Sequence, residues 1–237
     1  MDKLQIDTII QTVENLPLKQ AFAYLETNFP NGIVFSTSLG LEDQVLTDIL
    51  SQQEIKIHIF TLDTGRLFPE TYDLLDKTIG YYKQPIKVFF PEAALVEAYT
   101  SNKGINAFYE SVENRKECCA IRKIAPLERA LSGAKVWVTG LRADQSLNRK
   151  NMPLMAWDEE KQIFKYNPLI NWTTEALTNY INEHNIPLNP LHKKGFPSIG
   201  CAPCTRAILP DEDPRAGRWW WETSHKECGL HNTKTSS

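Results

Sequence analysis

Residues 32–52 read GIVFSTSLGLEDQVLTDILSQ, and their pattern indicates the fold class of the chain. Its first part, GIVFSTS (32–38), is an apolar, β-branched run that stops at small polar residues, as a buried strand does. The part after it, LEDQVLTDILSQ, has apolar residues at helical spacing. The stretch therefore predicts a strand, a tight turn and a helix.

The same alternation continues along the chain. Further strands are predicted at IKIHIFTLD (55–63), IKVFFP (86–91) and AKVWVTGL (134–141), and helical segments separate them. A hairpin is predicted over LMAWDEEKQIFKYNPL, followed by a helix that Thr173 caps. We expect an α/β, Rossmann-like fold: a mostly parallel sheet with helices on both faces.

Composition limits the classes of protein that need to be considered. The 237 residues suffice for one large domain, predicted over 1–204, and the pattern then fades into a C-terminal arm over 205–237. The formal net charge of −3 does not favour nucleic-acid binding. No secretion signal or membrane span is evident, so we expect a cytoplasmic protein with reduced thiols and no membrane contact.

Ligands of open parallel sheets bind at the carboxyl ends of the strands. Hydroxyls, glycines and free N–H groups at a helix N-terminus suit a phosphate or sulfate, although such residues also make ordinary strand-to-helix turns. Because polar loops follow three predicted strands, we favour a nucleotide-like anion. The candidate residues are Ser36, Ser38 and Gly40 after the first strand, Asp63, Gly65 and Arg66 after the second, and Arg142 after the fourth.

Four of the five cysteines form a pattern typical of metal centres. Cys118 and Cys119 are adjacent, and Cys201 and Cys204 form a CxxC. Zinc usually takes two spaced pairs, whereas adjacent cysteines can reach two different irons of an iron–sulfur cluster. The pattern favours a cluster; zinc and ordinary buried cysteines stay open as alternatives. Lys123, close to the first pair, could point at an anionic substrate.

The fifth cysteine, Cys228, lies in the ending KECGLH, with His225, Lys226 and His231 nearby to favour its thiolate. Alone it would be an incidental free thiol. The predicted arm also contains Arg215, Arg218 and three consecutive tryptophans, 219–221. An arm with anion-binding arginines and an activated thiol would behave as a lid that brings a nucleophile to a bound substrate.

The motifs FSTSLGLEDQV, TLDTGRLFPETY, KECCAIRKIAPL, TGLRADQS, SIGCAPCTRAILP, RAGRWWWE and KECGLH resemble, in this order, those of the assimilatory adenylylsulfate reductases, in the branch with a 4Fe-4S cluster. The resemblance implies an adenine nucleotide α-hydrolase-like fold and conversion of adenosine 5′-phosphosulfate to sulfite and AMP. It also implies one cluster per chain, on Cys118, Cys119, Cys201 and Cys204, with Cys228 as nucleophile. The implied substrate-binding side chains are Lys123, Arg142, Arg215 and Arg218, with His231 in the last motif.

Attack by Cys228 would leave a cysteine S-sulfonate. No other uncommitted cysteine exists in the chain to release sulfite, so an external dithiol, thioredoxin or glutaredoxin, is the expected partner. The stretch after the first predicted strand, Ser38-Leu39-Gly40-Leu41-Glu42-Asp43, departs from the Ser-Gly-Ala-Glu-Asp type of many relatives, so which of its groups contact the phosphosulfate stays open. Alternatives are a reductase for the 3′-phosphorylated nucleotide, a cluster-bearing tRNA thiolation enzyme and an iron–sulfur redox sensor; a homo-oligomer stays open.

Overall fold

The fold is that of a computed structural model, which describes residues 1–53, 55–145 and 149–222. The strands are β1 (Ile33–Ser36), β2 (His58–Leu62), β3 (Ile86–Phe89), β4 (Val136–Val138), β5 (Met155–Asp158) and β6 (Ile163–Tyr166). They form one six-stranded sheet in the order β3-β2-β1-β4-β6-β5. Strand β1 runs parallel to β2 and β4, and β4 runs parallel to β6. Strand β5 pairs with β6 in the antiparallel direction. The predicted mostly parallel α/β sheet is therefore confirmed, and the predicted hairpin is the β5–β6 pair.

Helices connect the parallel strands. Eight α-helices occur in the described ranges: α1 (Lys3–Glu14), α2 (Leu18–Asn28), α3 (Leu41–Gln52), α4 (Pro69–Tyr82), α5 (Ala93–Lys103), α6 (Val112–Cys119), α7 (Ala125–Leu131) and α8 (Thr174–His184). The opening stretch folds as predicted into β1 and α3. Helix α4 starts at its proline, and Thr173 caps α8 by accepting a hydrogen bond from the Ala176 N–H at 3.0 Å. Among the described residues, no helix is long and apolar enough to span a membrane.

The turn between β1 and α3 is tight because Leu39 adopts a left-handed backbone with φ 61°. The Leu39 side chain is buried, and its N–H donates to Thr37 Oγ1 at 3.0 Å. Gly40 then caps α3 without any side-chain hydrogen bond. We refer to residues 36–40 as the first loop.

A π-helical segment, Ala120–Ile124, joins α6 to α7. Pro126 lies in the first turn of α7 and has no N–H to donate, so the backbone hydrogen bonds of the preceding turn cannot follow the regular α pattern. The sequence left open whether the helix passes through Pro126 or begins after it. It passes through, with a wider turn directly after the adjacent cysteines.

Two compact units make up the chain. The first comprises Met1–Phe60, Asp73–Lys87 and Gly133–Asn189, and its core joins Ile33 and Phe35 of β1 with the buried side of α3. The second comprises Thr61–Tyr72, Val88–Ser132 and the chain from Pro190 onward. Both units are discontinuous along the chain, so local sequence patterning does not separate them, and the single domain over 1–204 stays a prediction.

Part of the predicted arm lies in the second unit. Within 205–222, Trp219 is 1% exposed and Glu222 is 8% exposed, and Thr205 and Arg218 form an isolated antiparallel bridge. These residues are therefore packed. The residues from 223 on lie outside the described ranges, so the division at residue 204 and the arm itself stay predictions.

Candidate active site and cysteine pocket

The four paired cysteines line one pocket of the second unit, which we call the cysteine pocket. It encloses about 370 Å³, including the open space at its mouth. All four cysteines are 8–9% exposed and carry no disulfide. The lining residues are Arg66, Phe108, Arg115, Cys118, Cys119, Arg122, Lys123, Cys201, Pro203, Cys204 and Trp219.

One helical face supplies five of these residues. Ser111 begins α6 by accepting the Asn114 N–H at 3.1 Å, and the helix then presents Arg115, Cys118 and Cys119 to the pocket. Arg122 and Lys123 follow on the π-helical segment. These positions repeat at intervals of three and four residues, which is the spacing of a single helix face. The adjacent cysteines are thereby surrounded by three cations on the same face.

A short turn supplies the CxxC pair. Cys201 precedes a one-turn 3₁₀ helix, Ala202–Cys204, and the Cys204 N–H donates to the Cys201 carbonyl at 2.9 Å. The turn is tied to the loop after β2, because the Ala202 N–H donates to the Arg66 carbonyl at 2.8 Å. Thr64 Oγ1 lies 3.3 Å from Cys201 Sγ.

The electrostatics differ among the thiols. Burial raises the pKa of Cys118 and raises that of Cys204 to about 12. Burial also acts to raise the pKa of Cys201, but Lys123, the hydrogen bond from Thr64 and two arginines outweigh it, so this pKa is lowered. The surrounding cations thus favour a thiolate at Cys201.

The donor set suits a polynuclear cluster. Four thiols are softer ligands than carboxylates, and they line a cavity instead of meeting at a point. Among the described residues, no three His, Cys, Asp or Glu side chains converge to hold a single metal ion. The Trp219 indole N–H, buried in the pocket wall, has no hydrogen-bond acceptor within the described ranges. A sulfur atom in the pocket would supply that acceptor.

The predicted residues after β2 have separate roles within this unit. Asp63 Oδ1 accepts hydrogen bonds from the Gly65 N–H at 2.7 Å and from Tyr72 Oη at 2.9 Å. Gly65 has φ 70°, a left-handed backbone that favours glycine. Arg66 faces the pocket above the Phe108 ring, 5.1 Å from its centroid, and donates to the Ile105 carbonyl at 2.7 Å. Asp63 and Gly65 therefore shape a loop whose arginine reaches the cysteines.

Both arginines predicted to bind the anion from the arm, Arg215 and Arg218, lie in the part of it that the structure describes. Arg218 is 8% exposed, donates to Ser198 Oγ at 3.1 Å, and lies 5.0 Å from the Trp219 ring centroid. Arg215 is half-buried, and its backbone N–H donates to Asp213 Oδ1 at 2.7 Å. Cys228 and His231 lie outside the described residues, so their predicted roles stay predictions.

In the first unit, Ser38 and Arg142, both predicted to bind an anionic substrate, donate hydrogen bonds to carboxylates of the protein. The N–H and Oγ of Ser38 both donate to Asp43 Oδ2 at 2.6 Å, and Arg142 Nε donates to Glu42 Oε1 at 3.0 Å. Burial raises the pKa of Asp43 to about 6, against the lowering effect of the Ser38 hydrogen bonds. Ser36 Oγ accepts a hydrogen bond from Trp137 Nε1 at 2.8 Å.

Gly140 and Gly40 differ in how strictly the first unit requires them. A Cβ on Gly140 would come within 2.2 Å of Asp43 Oδ1, so a side chain there would displace the carboxylate. A Cβ on Gly40 would have only one close neighbour, Ser38 Oγ at 3.4 Å, which is ordinary contact. Gly140 is therefore the position that requires glycine, and the sequence analysis did not predict this requirement.

Sequence reasoning did not assign three side chains of the second unit to the cysteines: Arg115, Thr64 and Trp219, the last of which it named only as part of the tryptophan run. Arg115 could have been found, because it precedes Cys118 by three residues and so shares its helix face. Thr64 contacts Cys201, and Trp219 lines the pocket. Both are brought there by the tertiary fold, so the local sequence contains no pattern that indicates these contacts.

Comparison with known proteins identifies a family. The model of the phosphoadenosine phosphosulfate reductase domain matches residues 32–207. The chain is 52% identical over 199 residues to the adenosine 5′-phosphosulfate reductase of Agrobacterium fabrum, covering 84% of this chain and 76% of that protein. It is 50% identical over 202 residues to the enzyme of the same name from Allochromatium vinosum, covering 85% of this chain and 79% of that protein.

A solved structure agrees with these matches. The phosphoadenylyl-sulfate (PAPS) reductase of Candida auris, in its phosphate complex, superposes with a TM-score of 0.73 at 27% sequence identity. The superposition covers 87% of this chain and 98% of that one.

Proposed function

Because the chain belongs to the phosphoadenosine phosphosulfate reductase domain family, we propose that it reduces adenosine 5′-phosphosulfate to sulfite and AMP in sulfate assimilation. The relatives at about 50% identity bear the name of that activity. The observation that carries the proposal is the cysteine pocket, where four buried cysteines and four cations lie together in the unit that also contains the loop after β2.

We infer that Cys118, Cys119, Cys201 and Cys204 would hold one 4Fe-4S cluster. The residues present fit it: four thiols, an indole N–H in need of an acceptor, and Arg66, Arg115, Arg122 and Lys123 to offset negative charge. When bound, the cluster would cross-link α6 to the CxxC turn and contribute to the local electrostatic field. No electron of the reaction needs to pass through it.

The reaction proceeds by nucleophilic substitution at sulfur. The Cys228 thiolate would attack the sulfate sulfur, the sulfur–oxygen bond to the phosphate would break, and AMP would leave with the electron pair. Lys123, Arg142, Arg215 and Arg218 would stabilise the negative charge on the phosphosulfate oxygens, with Ser36, Ser38, Gly40, Asp63, Gly65, Arg66 and His231 as the other proposed substrate-binding residues.

Release of sulfite needs two electrons and a second thiol. An external dithiol, thioredoxin or glutaredoxin, would attack the Cys228 sulfur, expel sulfite and form a mixed disulfide. Its second thiol would then resolve that disulfide and regenerate the Cys228 thiol. The dithiol leaves as a disulfide, which balances the two electrons accepted by the sulfate sulfur.

The proposed function is tested by sulfite production. Protein prepared without oxygen is incubated with adenosine 5′-phosphosulfate and reduced thioredoxin, and sulfite and AMP are both quantified. With the dithiol we expect equal amounts of the two products. Without it, AMP release should stop after a single turnover and no sulfite should be released, because the sulfonate stays on Cys228. Release of AMP without stoichiometric sulfite during sustained turnover would contradict the proposal.

A second candidate substrate is the 3′-phosphorylated nucleotide. The name of the matching family model and the 27% identical Candida auris enzyme both favour it. The cysteine pattern argues for the simpler nucleotide by resemblance, because relatives with the adjacent pair and the CxxC typically use it. We therefore propose adenosine 5′-phosphosulfate as the preferred substrate of the two.

A further inference from the structure

Arg115 and Glu222 form a buried ion pair in the second unit. Arg115 Nε donates to Glu222 Oε1 at 2.8 Å and Nη2 donates to Oε2 at 2.8 Å. The two side chains are only 2% and 3% exposed. Two parallel charge-assisted hydrogen bonds fix both the distance and the relative orientation of the groups.

Each partner of this ion pair is attached to a part of the proposed active site. Arg115 lies on α6, three residues before Cys118, and its guanidinium also hydrogen-bonds the Cys119 side chain. Glu222 follows the tryptophan run, and its N–H donates to the Trp219 carbonyl at 2.9 Å. The Trp219 ring lies 4.8 Å from the Arg115 guanidinium carbon. Glu222 is thus tied to the cysteine-bearing helix through its side chain and, by way of Trp219, through its backbone.

Stability alone does not explain such an ion pair. Desolvating two charges offsets most of the attraction between them, so a hydrophobic pair of similar volume would stabilise a core at least as well. What the ion pair provides is a single defined geometry for Glu222. Cys228 follows six residues later, and six residues of chain span at most about 20 Å. The position of Glu222 therefore limits where the Cys228 sulfur can reach.

We propose that Arg115 and Glu222 are positioning residues for the sulfur transfer, fixing the start of the segment that contains Cys228 relative to α6. This role rests on the proposed function, because it presupposes that Cys228 is the nucleophile. Neither residue needs to touch the substrate. Loss of the ion pair should therefore slow the attack step and leave nucleotide binding nearly unchanged.

The test compares three variants of the cluster-loaded protein. Glu222→Gln keeps the size of the side chain and removes its charge, and Arg115→Lys keeps the charge and removes the planar fork. Glu212→Gln is the matched control, because it removes an ion pair of the same unit, Arg206 Nη2 to Glu212 Oε1 at 2.8 Å, between two residues that are not part of α6 and do not line the cysteine pocket. Three quantities are measured: the single-turnover rate of S-sulfonate formation at Cys228 by rapid quench and mass spectrometry, the dissociation constant of AMP, and the visible absorbance per protein.

We expect Glu222→Gln and Arg115→Lys to form the S-sulfonate about 10- to 100-fold more slowly at saturating substrate, since small misplacements of a nucleophile have effects of this size. Their AMP dissociation constants should stay within about twofold and their absorbance should be retained. The rate of Glu212→Gln should stay within about twofold of wild type.

The outcomes separate the two proposals. A wild-type protein that forms no S-sulfonate at Cys228 would contradict the proposed function itself. A wild type that reacts, together with both variants reacting at wild-type rates, would overturn only the positioning role. Losses of AMP binding or absorbance that parallel the loss of rate would assign the ion pair a general structural role and would also overturn it.

Discussion

At the scale of single residues, Asp43 shows how the first loop is held. Its carboxylate accepts both Ser38 donors and occupies the space that a side chain on Gly140 would need. Burial nevertheless raises its pKa to about 6. In the unfolded chain this pKa returns to the ordinary value near 3.8, so the folded state binds more protons than the unfolded state between pH 3.8 and 6.

The free energy of unfolding should therefore fall as the pH rises through this window. A shift of about two pKa units corresponds to about 3 kcal/mol of lost stability once the pH exceeds 6. Asp43→Asn cannot ionise, so its stability relative to wild type should increase by up to this amount between pH 4 and pH 7. Urea unfolding of both proteins at a series of pH values measures this difference in the free energy of unfolding. The exposed Asp76→Asn is the control and should follow the wild-type curve; parallel curves for Asp43→Asn would disprove the raised pKa.

Cys228 is the residue on which the proposed chemistry depends. Because serine is a far weaker nucleophile, Cys228→Ser should lower turnover at least about a thousand-fold while AMP binding persists. Mass spectrometry of wild type with substrate and no reductant should find one sulfonate, on the peptide that contains Cys228. A sulfonate on another peptide, or an active serine variant, would exclude this nucleophile.

At the scale of elements, the helix face of α6 and the π-helical segment brings Arg115, Cys118, Cys119, Arg122 and Lys123 to one pocket. The adjacent cysteines, the CxxC and the nearby Lys123 were evident in the sequence, and the helical spacing could also have placed Arg115 beside them. The contacts of Thr64 and Trp219 with the cysteines could not be predicted, because Thr64 lies 54 residues before Cys118 and the 15 residues from Cys204 to Trp219 show no regular periodicity. Local periodicity contains no information about such contacts.

The cysteine pocket leads to a prediction about colour and stability. Cys201→Ser should lose the visible iron–sulfur absorbance and unfold at lower urea, because ligand binding energy contributes to folding. Cys228→Ser is the matched control, since it removes a thiol that is not one of the four proposed cluster ligands and should keep the absorbance. Metal analysis and absorbance of both proteins, purified without oxygen, measure the effect. A colourless wild type with one zinc per chain would instead identify zinc as the metal.

At the scale of the whole molecule, strand alternation predicted the parallel sheet and its antiparallel β5–β6 edge. It did not predict two compact units, because each is assembled from three separate stretches of chain. The polar composition of 205–222 indicated an arm, yet Trp219 and Glu222 are buried, since a bidentate ion pair and aromatic contacts compensate for the few aliphatic residues. Composition alone cannot reveal that compensation.

Substrate preference is a property of the whole binding surface. A 3′-phosphate adds negative charge that needs basic partners, and each charge-assisted hydrogen bond gained or lost changes binding by about 1.5–3 kcal/mol. We expect kcat/KM to favour adenosine 5′-phosphosulfate over its 3′-phosphorylated form by at least about tenfold, because the identified basic residues are already assigned to the phosphosulfate. Both nucleotides are compared with the same thioredoxin without oxygen. A ratio near one would show that the cysteine pattern does not determine this preference.

The π-helical segment Ala120–Ile124 also constrains how the chain can change in length. The Ala125 N–H donates to the Ala120 carbonyl, a separation of five residues where a regular α-helix pairs residues four apart. Deleting Ile121 or Ile124 would convert this pair to the α spacing, so α7 would keep its angular phase relative to the adjacent cysteines. A deletion within α6 (Val112–Cys119) has no such extra residue to remove and would rotate the residues after it by about 100° around the helix axis relative to those before it. We therefore expect single-residue deletions at Ile121 or Ile124 to keep the visible absorbance more often than deletions in α6, a contrast that a deletion scan with absorbance as readout would measure.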